Sequence, residues 1–367
     1  MFNFLKLKQE TFSLDISDLS LKIVKLEKKK GFFSLASYNK ISIKPGIVEE
    51  GVIQDEESLS EIIKKACKTV TGKKLNTKYV VLSLPEEKTF LQIIKMPKMK
   101  EKELKSAVFF EAENYIPLPI SEVYLDFQII PPAKDNLNHM DVLIVATPKK
   151  IVNGYVSCLE KAGLTPFIIE VESQAIVRAL VKNEFSSSPI VILDLGQSNT
   201  NFIVFSGKSI RLMYSLPVSS QQLTVAIAES LKVDFNKAEK MKLQYDLQNM
   251  KKDDESIKVF KAINTVLDDL ITQIKKYLTF YQSHSFHEHI NSESKVESIL
   301  LCGGGANLKG LPEFLSKKLD IPTKLGNPWI NFPVKKPNNY IHNDSLYLTT
   351  ALGLELREIN NTKDNNL

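Results

Sequence analysis

The chain has 367 residues, a length that predicts two or three domains rather than one small core. Its hydrophobic fraction of 43% excludes a disordered chain, and its three cysteines, which lack metal or disulfide spacing, favour a reducing cytoplasm. The formal net charge of +5 comes from lysines and arginines spread along the chain, so it does not indicate a nucleic-acid partner.

The first part of the chain predicts a compact α/β unit. Apolar and polar residues alternate in its strands, and apolar residues recur at helical spacing in its helix. The predicted elements are a hairpin over 12–24, a strand over 34–43, a helix over 58–70 with Ser58 as its N-cap, and a strand over 79–84.

The pattern then changes and indicates a compact inserted unit. It reads as strand, helix, two strands and a second helix that Gly163 closes. The predicted elements are strands over 89–96, 124–130 and 140–146 and helices over 100–115 and 149–162.

A second half begins near Ile190 with a hairpin that repeats the pattern of the first. A strand and a helix over 167–182 lead into it. The elements predicted after it are strands over 209–214 and 298–302 and helices over 223–231, 235–243, 256–284, 311–318 and 346–356.

The two matching hairpins each carry an aspartate where the first strand ends, at Asp15 and Asp194. A turn with consecutive backbone N–H groups forms a concavity that binds anions, and Mg²⁺ would prevent repulsion between an aspartate and a phosphate. Further donors in these turns are Ser17, Ser20, Ser198, Asn199 and Thr200. Either hairpin alone is explained as well by ordinary turn residues, but the pair together with a third motif favours a nucleotide site.

The third motif is a buried strand followed by three glycines, Gly303, Gly304 and Gly305. Glycine lets the backbone approach a ring or a phosphate because no Cβ intervenes. Elsewhere, Glu239 and Lys242 lie three residues apart on a predicted helix, where they could bracket a ribose and an adenine edge. An exposed ion pair explains these two residues equally well.

Together these motifs resemble the PilM family of actin-like type IV pilus assembly proteins, relatives of the cell-division protein FtsA. The resemblance covers nearly the whole chain and implies an α/β, actin-like (ASKHA, ribonuclease H-like) two-domain fold with an FtsA-type subdomain 1C insertion. The implied limits are 1–85 and 167–189 for subdomain 1A, 86–166 for 1C, 190–345 for 2A and 2B, 346–357 for a closing helix and 358–367 for a polar tail.

The resemblance also implies ATP and Mg²⁺ in the cleft between the domains, with Asp15 and Asp194 orienting the metal. The residues implied to contact the nucleotide are Ser17, Ser20, Lys22, Gly196, Gln197, Ser198, Asn199, Thr200, Glu239, Lys242, Gly303, Gly304, Gly305 and Asn307. Glu172 or Gln174 is implied to position water. Relatives usually carry Gly and a small residue where this chain has Ser17 and Asp18, and Asp18 is expected to add negative charge beside the phosphates. Relatives also often carry glycines where this chain has 218–222, so weakened nucleotide affinity is expected, together with slow or no hydrolysis.

The implied partner is the cytoplasmic N-terminal peptide of the membrane protein PilN, in a groove between 1A and 1C. Phe109, Phe110 and Tyr115 are candidate walls of that groove, although core packing explains them equally well. No apolar run reaches the ~20 residues of a membrane span, so a cytoplasmic chain that meets the inner membrane through its partner is expected. Contacts with other pilus motor components and self-association are left open.

Three other functions fit the same fold. An FtsA-like filament protein would end in a basic amphipathic helix, which the polar segment 360–367 does not resemble. A sugar or acetate kinase would need a catalytic base in a substrate loop, and no such loop is recognisable. A cytoplasmic component of a type II secretion system is a neighbouring alternative.

Overall fold

The computed structural model describes residues 9–131, 138–248, 253–284, 295–333 and 345–364. Its strands are β1 (Phe12–Ser17), β2 (Ser20–Lys29), β3 (Phe32–Ser42), β4 (Val48–Glu49), β5 (Val52–Ile53), β6 (Thr71–Gly72), β7 (Tyr79–Leu84), β8 (Phe90–Pro97), β9 (Val123–Ile130), β10 (His139–Pro148), β11 (Thr165–Val171), β12 (Ser186–Leu195), β13 (Thr200–Gly207), β14 (Ser209–Leu216), β15 (Ser298–Cys302) and β16 (Thr323–Leu325). Its α-helices are α1 (Glu56–Lys68), α2 (Glu101–Ala112), α3 (Lys149–Lys161), α4 (Glu172–Leu180), α5 (Ser220–Leu231), α6 (Phe235–Gln244), α7 (Asp254–His284), α8 (Leu311–Leu319) and α9 (Thr349–Asp364).

The first domain is built on a six-stranded sheet in the order β11-β7-β1-β2-β3-β6. β1 pairs antiparallel with β2 and parallel with β7. Helices α1 and α3 bury apolar side chains such as Leu59, Ile63 and Tyr155 in one core with these strands. The N-cap of α1 is Asp55 rather than the predicted Ser58, because the Asp55 carboxylate accepts a hydrogen bond from the Ser58 amide at 3.0 Å.

A three-stranded sheet in the order β8-β10-β9 forms the inserted unit. Helix α2 packs on this sheet through Leu104 and Val108, which share a core with Ile94 and Val142. Helix α3 lies within the limits predicted for the insertion, 86–166, but its buried residues join the core of the first domain. We therefore propose that the inserted unit ends near Pro148.

The second domain repeats the strand arrangement of the first. Its five-stranded sheet has the order β14-β13-β12-β15-β16, and β12 pairs antiparallel with β13 and parallel with β15. Residues of α5, α7 and α8 pack on one face, including Leu223, Ile274 and Leu315. The two matching hairpins are therefore the central hairpins of two related sheets.

Helices α4 and α9 join the two domains behind these hairpins. Residues of α4 such as Ile176 and Leu180 share a core with β12, β13 and β15, whereas α9 packs against β1, β2 and β7. Arg178 of α4 is buried, and its Nη1 donates to the Gly353 carbonyl oxygen at 3.0 Å while its Nη2 donates to Glu170 Oε2 at 2.9 Å. These bonds satisfy a charge that is otherwise costly to bury.

The closing helix is longer than the sequence predicts. It runs to Asp364, into the range 358–367 that was predicted as a polar tail. In the described part of the chain, no helix is both long enough and apolar enough to cross a membrane.

Candidate functional site

The first hairpin holds an acid and a base in a fixed arrangement. Asp15 is buried and is the register partner of Lys22, whose Nζ donates to Asp15 Oδ2 at 2.7 Å. Ser83 Oγ of β7 donates to Asp15 Oδ1 at 2.9 Å. Burial opposes the charge of Lys22, but the carboxylates of Asp15 and Asp194 raise the pKa of this lysine above its ordinary value. Lys22 is therefore held as a cation between two acids.

The second hairpin places Asp194 at the equivalent position, near the end of β12. Its register partner Asn201 donates from Nδ2 to Glu172 Oε2 at 3.1 Å, which draws the first turn of α4 to the same place. Burial raises the pKa of Asp194, Lys22 opposes that rise, and the charge of Asp15 adds to it. The structure thus brings together the two aspartates predicted to orient a metal.

The glycines of the third motif pack on the end of β12. Gly303 has a φ of 81°, and a Cβ there would overlap Asp194 Oδ1 and lie 2.5 Å from the Leu195 carbonyl oxygen. A Cβ at Gly305 would lie 3.0 Å from Leu195 Cβ. Because the close neighbours include backbone atoms, only glycine fits this approach. The structure therefore brings the third motif to the second hairpin.

The pair Glu239 and Lys242 is not an exposed ion pair. Lys242 is only 6% exposed, and its Nζ lies 2.8 Å from Glu239 Oε2. The same Nζ donates to the Ser220 carbonyl oxygen at 3.0 Å and to Thr224 Oγ1 at 2.8 Å. The pair is therefore tied to the first turn of α5, beside the glycine motif.

The polar residues of the first turn bond to the protein itself. Ser17 Oγ donates to the Ser20 carbonyl oxygen at 3.1 Å, and the two hydroxyl oxygens lie 3.0 Å apart. Asp18 was expected to add negative charge beside a phosphate. Its carboxylate instead accepts hydrogen bonds from the amides of Glu50 and Gly51, both at 3.0 Å, which balance its charge.

The second turn is docked on the N-terminus of α5. The amides of Ser220 and Gln221 donate to the carbonyl oxygens of Gly196 and Gln197 at 3.0 and 3.2 Å. Ser219 caps the helix in place of the glycines that relatives often carry here. These first amides of α5 are thus already bonded within the protein.

Other donors of the second turn also bond to the protein. Thr200 Oγ1 is buried and donates to the Val218 carbonyl oxygen at 2.6 Å, while Ser198 is half-buried. Asn199 Nδ2 donates to a carboxylate oxygen of Glu87 in the segment that leads into the inserted unit. Asn199 therefore connects the second hairpin with the first domain.

The first turn of α4 brings a protonatable acid to the paired aspartates. Glu172 is buried, and burial and then the charge of Asp15 raise the pKa of Glu172 well above its ordinary value. Gln174 is half-buried in the same turn. Glu86 was missed by the sequence patterns. It accepts a hydrogen bond from the amide of Ser173, and burial raises its pKa to about 7.

A lysine that the sequence patterns missed lies near the exposed part of the glycine motif. Gly304 is exposed, and Asn307 Nδ2 donates to its carbonyl oxygen at 3.5 Å. A Cβ at Gly304 would lie 4.0 Å from Tyr347 Cβ. Lys40 Nζ lies 5.2 Å from the centroid of the Tyr347 ring. The first domain thus places a cation beside the third motif.

A cavity of about 1000 Å³ lies between the inserted unit and the second domain. Its walls come from β8, which ends the inserted sheet, and from β14, which ends the five-stranded sheet. Tyr115 lines it from one side, and Tyr214 and Phe280 line it from the other. Phe109 and Phe110, predicted together with Tyr115 as walls of a groove between 1A and 1C, do not line this cavity, which faces the second domain, and Phe110 is 74% exposed.

Comparison with known families and solved structures shows to which family this chain belongs. The family model described as type IV pilus assembly protein PilM matches residues 13–359. The chain belongs to the PilM family. A solved structure described as the PilM–PilN type IV pilus biogenesis complex is 27% identical to this PilM-family chain, with a TM-score of 0.80, and the match covers 96% of this chain and 99% of that one.

More distant relatives agree with the fold predicted for the PilM family. MreB5 of Spiroplasma citri, solved with ADP, is 12% identical with a TM-score of 0.53, and the match covers 98% of each chain. The predicted actin-like two-domain fold is thereby confirmed. The cell division protein FtsA of Helicobacter pylori strain J99 is 24% identical over 205 residues, which are 50% of this chain and 41% of FtsA. The chain therefore matches less than half the length of that relative.

Proposed function

We propose that this chain is an actin-like nucleotide-binding scaffold of type IV pilus assembly, with Mg-ATP in the cleft between its two domains. The observation that carries this proposal is the meeting of Asp15, Lys22 and Asp194, with Gly303 packed against Asp194. Two related hairpins thus face one another across a cleft with acids and a fixed cation. A polyphosphate with a divalent cation complements that charge arrangement.

The residues fit a Mg²⁺ ion that is held jointly by the protein and the phosphates of the nucleotide, rather than by protein side chains alone. In the described ranges, no three His, Cys, Asp or Glu side chains are grouped as metal ligands. Mg²⁺ is commonly held by one or two carboxylates, waters and phosphate oxygens, a role that Asp15 and Asp194 could fill. The ion would neutralise phosphate charge beside these two acids, while Lys22 would bind a phosphate oxygen.

Hydrolysis is proposed to be slow or absent. Glu172 is the first candidate to position the attacking water, because it lies close enough to Asp15 and Asp194 for their charges to affect its pKa. Gln174, in the same turn of α4, is the alternative. Burial raises the pKa of Glu172 and so favours its neutral form, and a neutral carboxyl is a poor base. The scaffold would then switch by nucleotide binding rather than by turnover.

The first test replaces Asp194 with asparagine and measures Mg-ATP binding by calorimetry. We expect the dissociation constant to rise about tenfold or more, since a charged group of a metal and phosphate site is removed. The fold should persist, because burial already disfavours the charged form of Asp194. Asp234→Asn is the control, since Asp234 is an exposed N-cap of the same domain. Equal affinity of the two variants would remove Asp194 from the site.

We further propose that the cytoplasmic N-terminal peptide of PilN binds in the cavity between β8 and β14, where the inserted unit meets the second domain, rather than in the groove between 1A and 1C that the resemblance implies. The similar solved structure is a PilM–PilN complex, and both strands end their sheets, so an extended peptide could add to either edge. Aromatic side chains line both walls, which suits a peptide with an apolar centre. The chain would then meet the inner membrane from the cytoplasm through PilN.

The second test uses a synthetic peptide with the N-terminal sequence of the cognate PilN. Tyr115→Ala is expected to weaken its binding about tenfold, as loss of an interface aromatic does. Phe110→Ala is the matched control, because Phe110 is an aromatic of the same unit that does not line the cavity. Fluorescence anisotropy of a labelled peptide measures both. A larger loss with Phe110→Ala would place the peptide elsewhere, and no binding to the unmodified chain would contradict the partner.

A further inference from the structure

A row of three charged side chains crosses the first sheet at the cleft. Asp15 of β1 is the register partner of Lys22 of β2, and Lys22 is the register partner of Lys40 of β3. Register partners on neighbouring strands point to the same face of a sheet. The row therefore consists of one acid, Asp15, followed by two bases, Lys22 and Lys40. Asp15 can balance the charge of only one of these two lysines.

The second base of this row is directed at the cleft. Lys40 is exposed, its Nζ lies 5.2 Å from the centroid of the Tyr347 ring, and among the described residues it forms no ion pair. Partial desolvation and then the charges of Lys22 and Lys242 lower the pKa of Lys40, while Glu239 opposes this. Lys40 thus lies between the phosphate end of the proposed site and the pair tied to α5.

The corresponding row of the second sheet carries no cation. There Asp194, Asn201 and Ser215 are register partners across β12, β13 and β14. The two hairpins are structural repeats, so this difference places both row cations, Lys22 and Lys40, on one wall of the cleft. Like charges placed directly opposite each other destabilise a sheet unless an anion lies between them.

We propose that Lys40 binds the phosphate chain of the bound nucleotide together with Lys22, on the side of the cleft that leads to Glu239 and Lys242. This inference rests on the proposed nucleotide function and adds a contact from outside the phosphate hairpins. The ring of Tyr347 would hold the ammonium group of Lys40 in place, which reduces the entropy lost on binding. Lys40 would then discriminate a polyphosphate from a nucleoside.

Calorimetry of the full chain with Mg-ATP and with adenosine tests this role. Lys40→Gln is expected to weaken Mg-ATP about tenfold, the loss typical of a charge-assisted phosphate contact, and to leave adenosine binding within about twofold. Lys40→Arg should keep Mg-ATP affinity within about threefold, because the charge remains. Lys30→Gln removes the same charge from the far end of the β2–β3 hairpin and should bind Mg-ATP as the unmodified chain does.

Equal Mg-ATP affinity of Lys40→Gln and Lys30→Gln would overturn the role of Lys40 while leaving the nucleotide function intact. Failure of the unmodified chain to bind Mg-ATP would instead contradict the proposed function itself. A loss that Lys40→Arg shares would also overturn the inference, since the lysine would then act through packing. The melting temperature of each nucleotide-free variant, expected within about 2 °C of the unmodified chain, reports that the fold is intact.

Discussion

Replacing Gly353 with alanine is expected to lower the free energy of unfolding by about 3 kcal/mol, as severe overpacking against a backbone does. Gly353 lies in α9 where this helix packs against α4. A Cβ there would overlap the Ala175 carbonyl oxygen and lie 2.5 Å from the Ala175 carbonyl carbon. Because both atoms belong to the backbone of α4, no side-chain rotation can relieve the overlap. Urea unfolding followed by circular dichroism measures the loss.

Gly154→Ala is the matched control, because Gly154 also lies within a helix, α3. A Cβ at Gly154 would lie 3.7 Å from Ile53 Cδ1, which is an ordinary contact. Helix propensity then predicts a gain of about 0.5–1 kcal/mol, because alanine loses less backbone entropy than glycine. Similar stability of Gly353→Ala and Gly154→Ala would contradict the close approach of α4 and α9, on which the joint between the domains depends.

Replacing Glu86 with glutamine is expected to stabilise the nucleotide-free protein above pH 7 and to change its stability little near pH 4.5. Burial raises the pKa of Glu86 from 4.5 to about 7, against the opposing hydrogen bonds from Ser173. Between these values the folded chain binds the proton more tightly than the unfolded chain, so the contribution of Glu86 to stability falls as pH rises. The difference between the two pKa values corresponds to about 3 kcal/mol at pH 8.

Chemical denaturation at pH 5 and pH 8 measures this effect. The gain from Glu86→Gln should be larger at pH 8, whereas Glu160→Gln, at an exposed position of α3, should show the same small effect at both. Part of the fall with pH should persist in the variant, because burial also raises the pKa of Glu87 and Glu172. A gain that does not depend on pH would mean that Glu86 does not titrate in this range.

The architecture was predictable because its signals are local and repeated. The hairpins around Asp15 and Asp194 could be read from alternating apolar residues and a polar turn, and both fall where the structure has them. The run of glycines from Gly303 to Gly305 predicted a close approach of the backbone to another group, and Gly303 lies that close to the backbone of Leu195. Helix ends were less exact, since side-chain caps such as Asp55 decide them.

The site was only partly predictable, because several of its members depend on contacts between distant segments. In the sequence Glu86 is an ordinary acidic residue after a strand, whereas in the structure it is buried and accepts a hydrogen bond from the Ser173 amide of α4. Lys242 has the spacing of a surface ion pair, and only the approach of Ser220 and Thr224 encloses it. Burial of this kind changes the pKa or the role of a side chain, but it cannot be recognised from the residues that surround it in the sequence.

Two related α/β halves, an inserted unit, paired aspartates and a glycine turn can all be predicted from the amino-acid sequence, because hydrophobic periodicity and turn chemistry are properties of short segments. Which charges face one another depends instead on how the strands pair in the folded sheet. If the pairing of Lys29 with Phe32 continued regularly along β2 and β3, Lys22 would pair with Asn39. A bulge between Leu26 and Lys25 shifts the register by one residue, so that Lys22 pairs with Lys40. A single extra residue in a strand thus moved a cation into the cleft, and only the folded sheet reveals it.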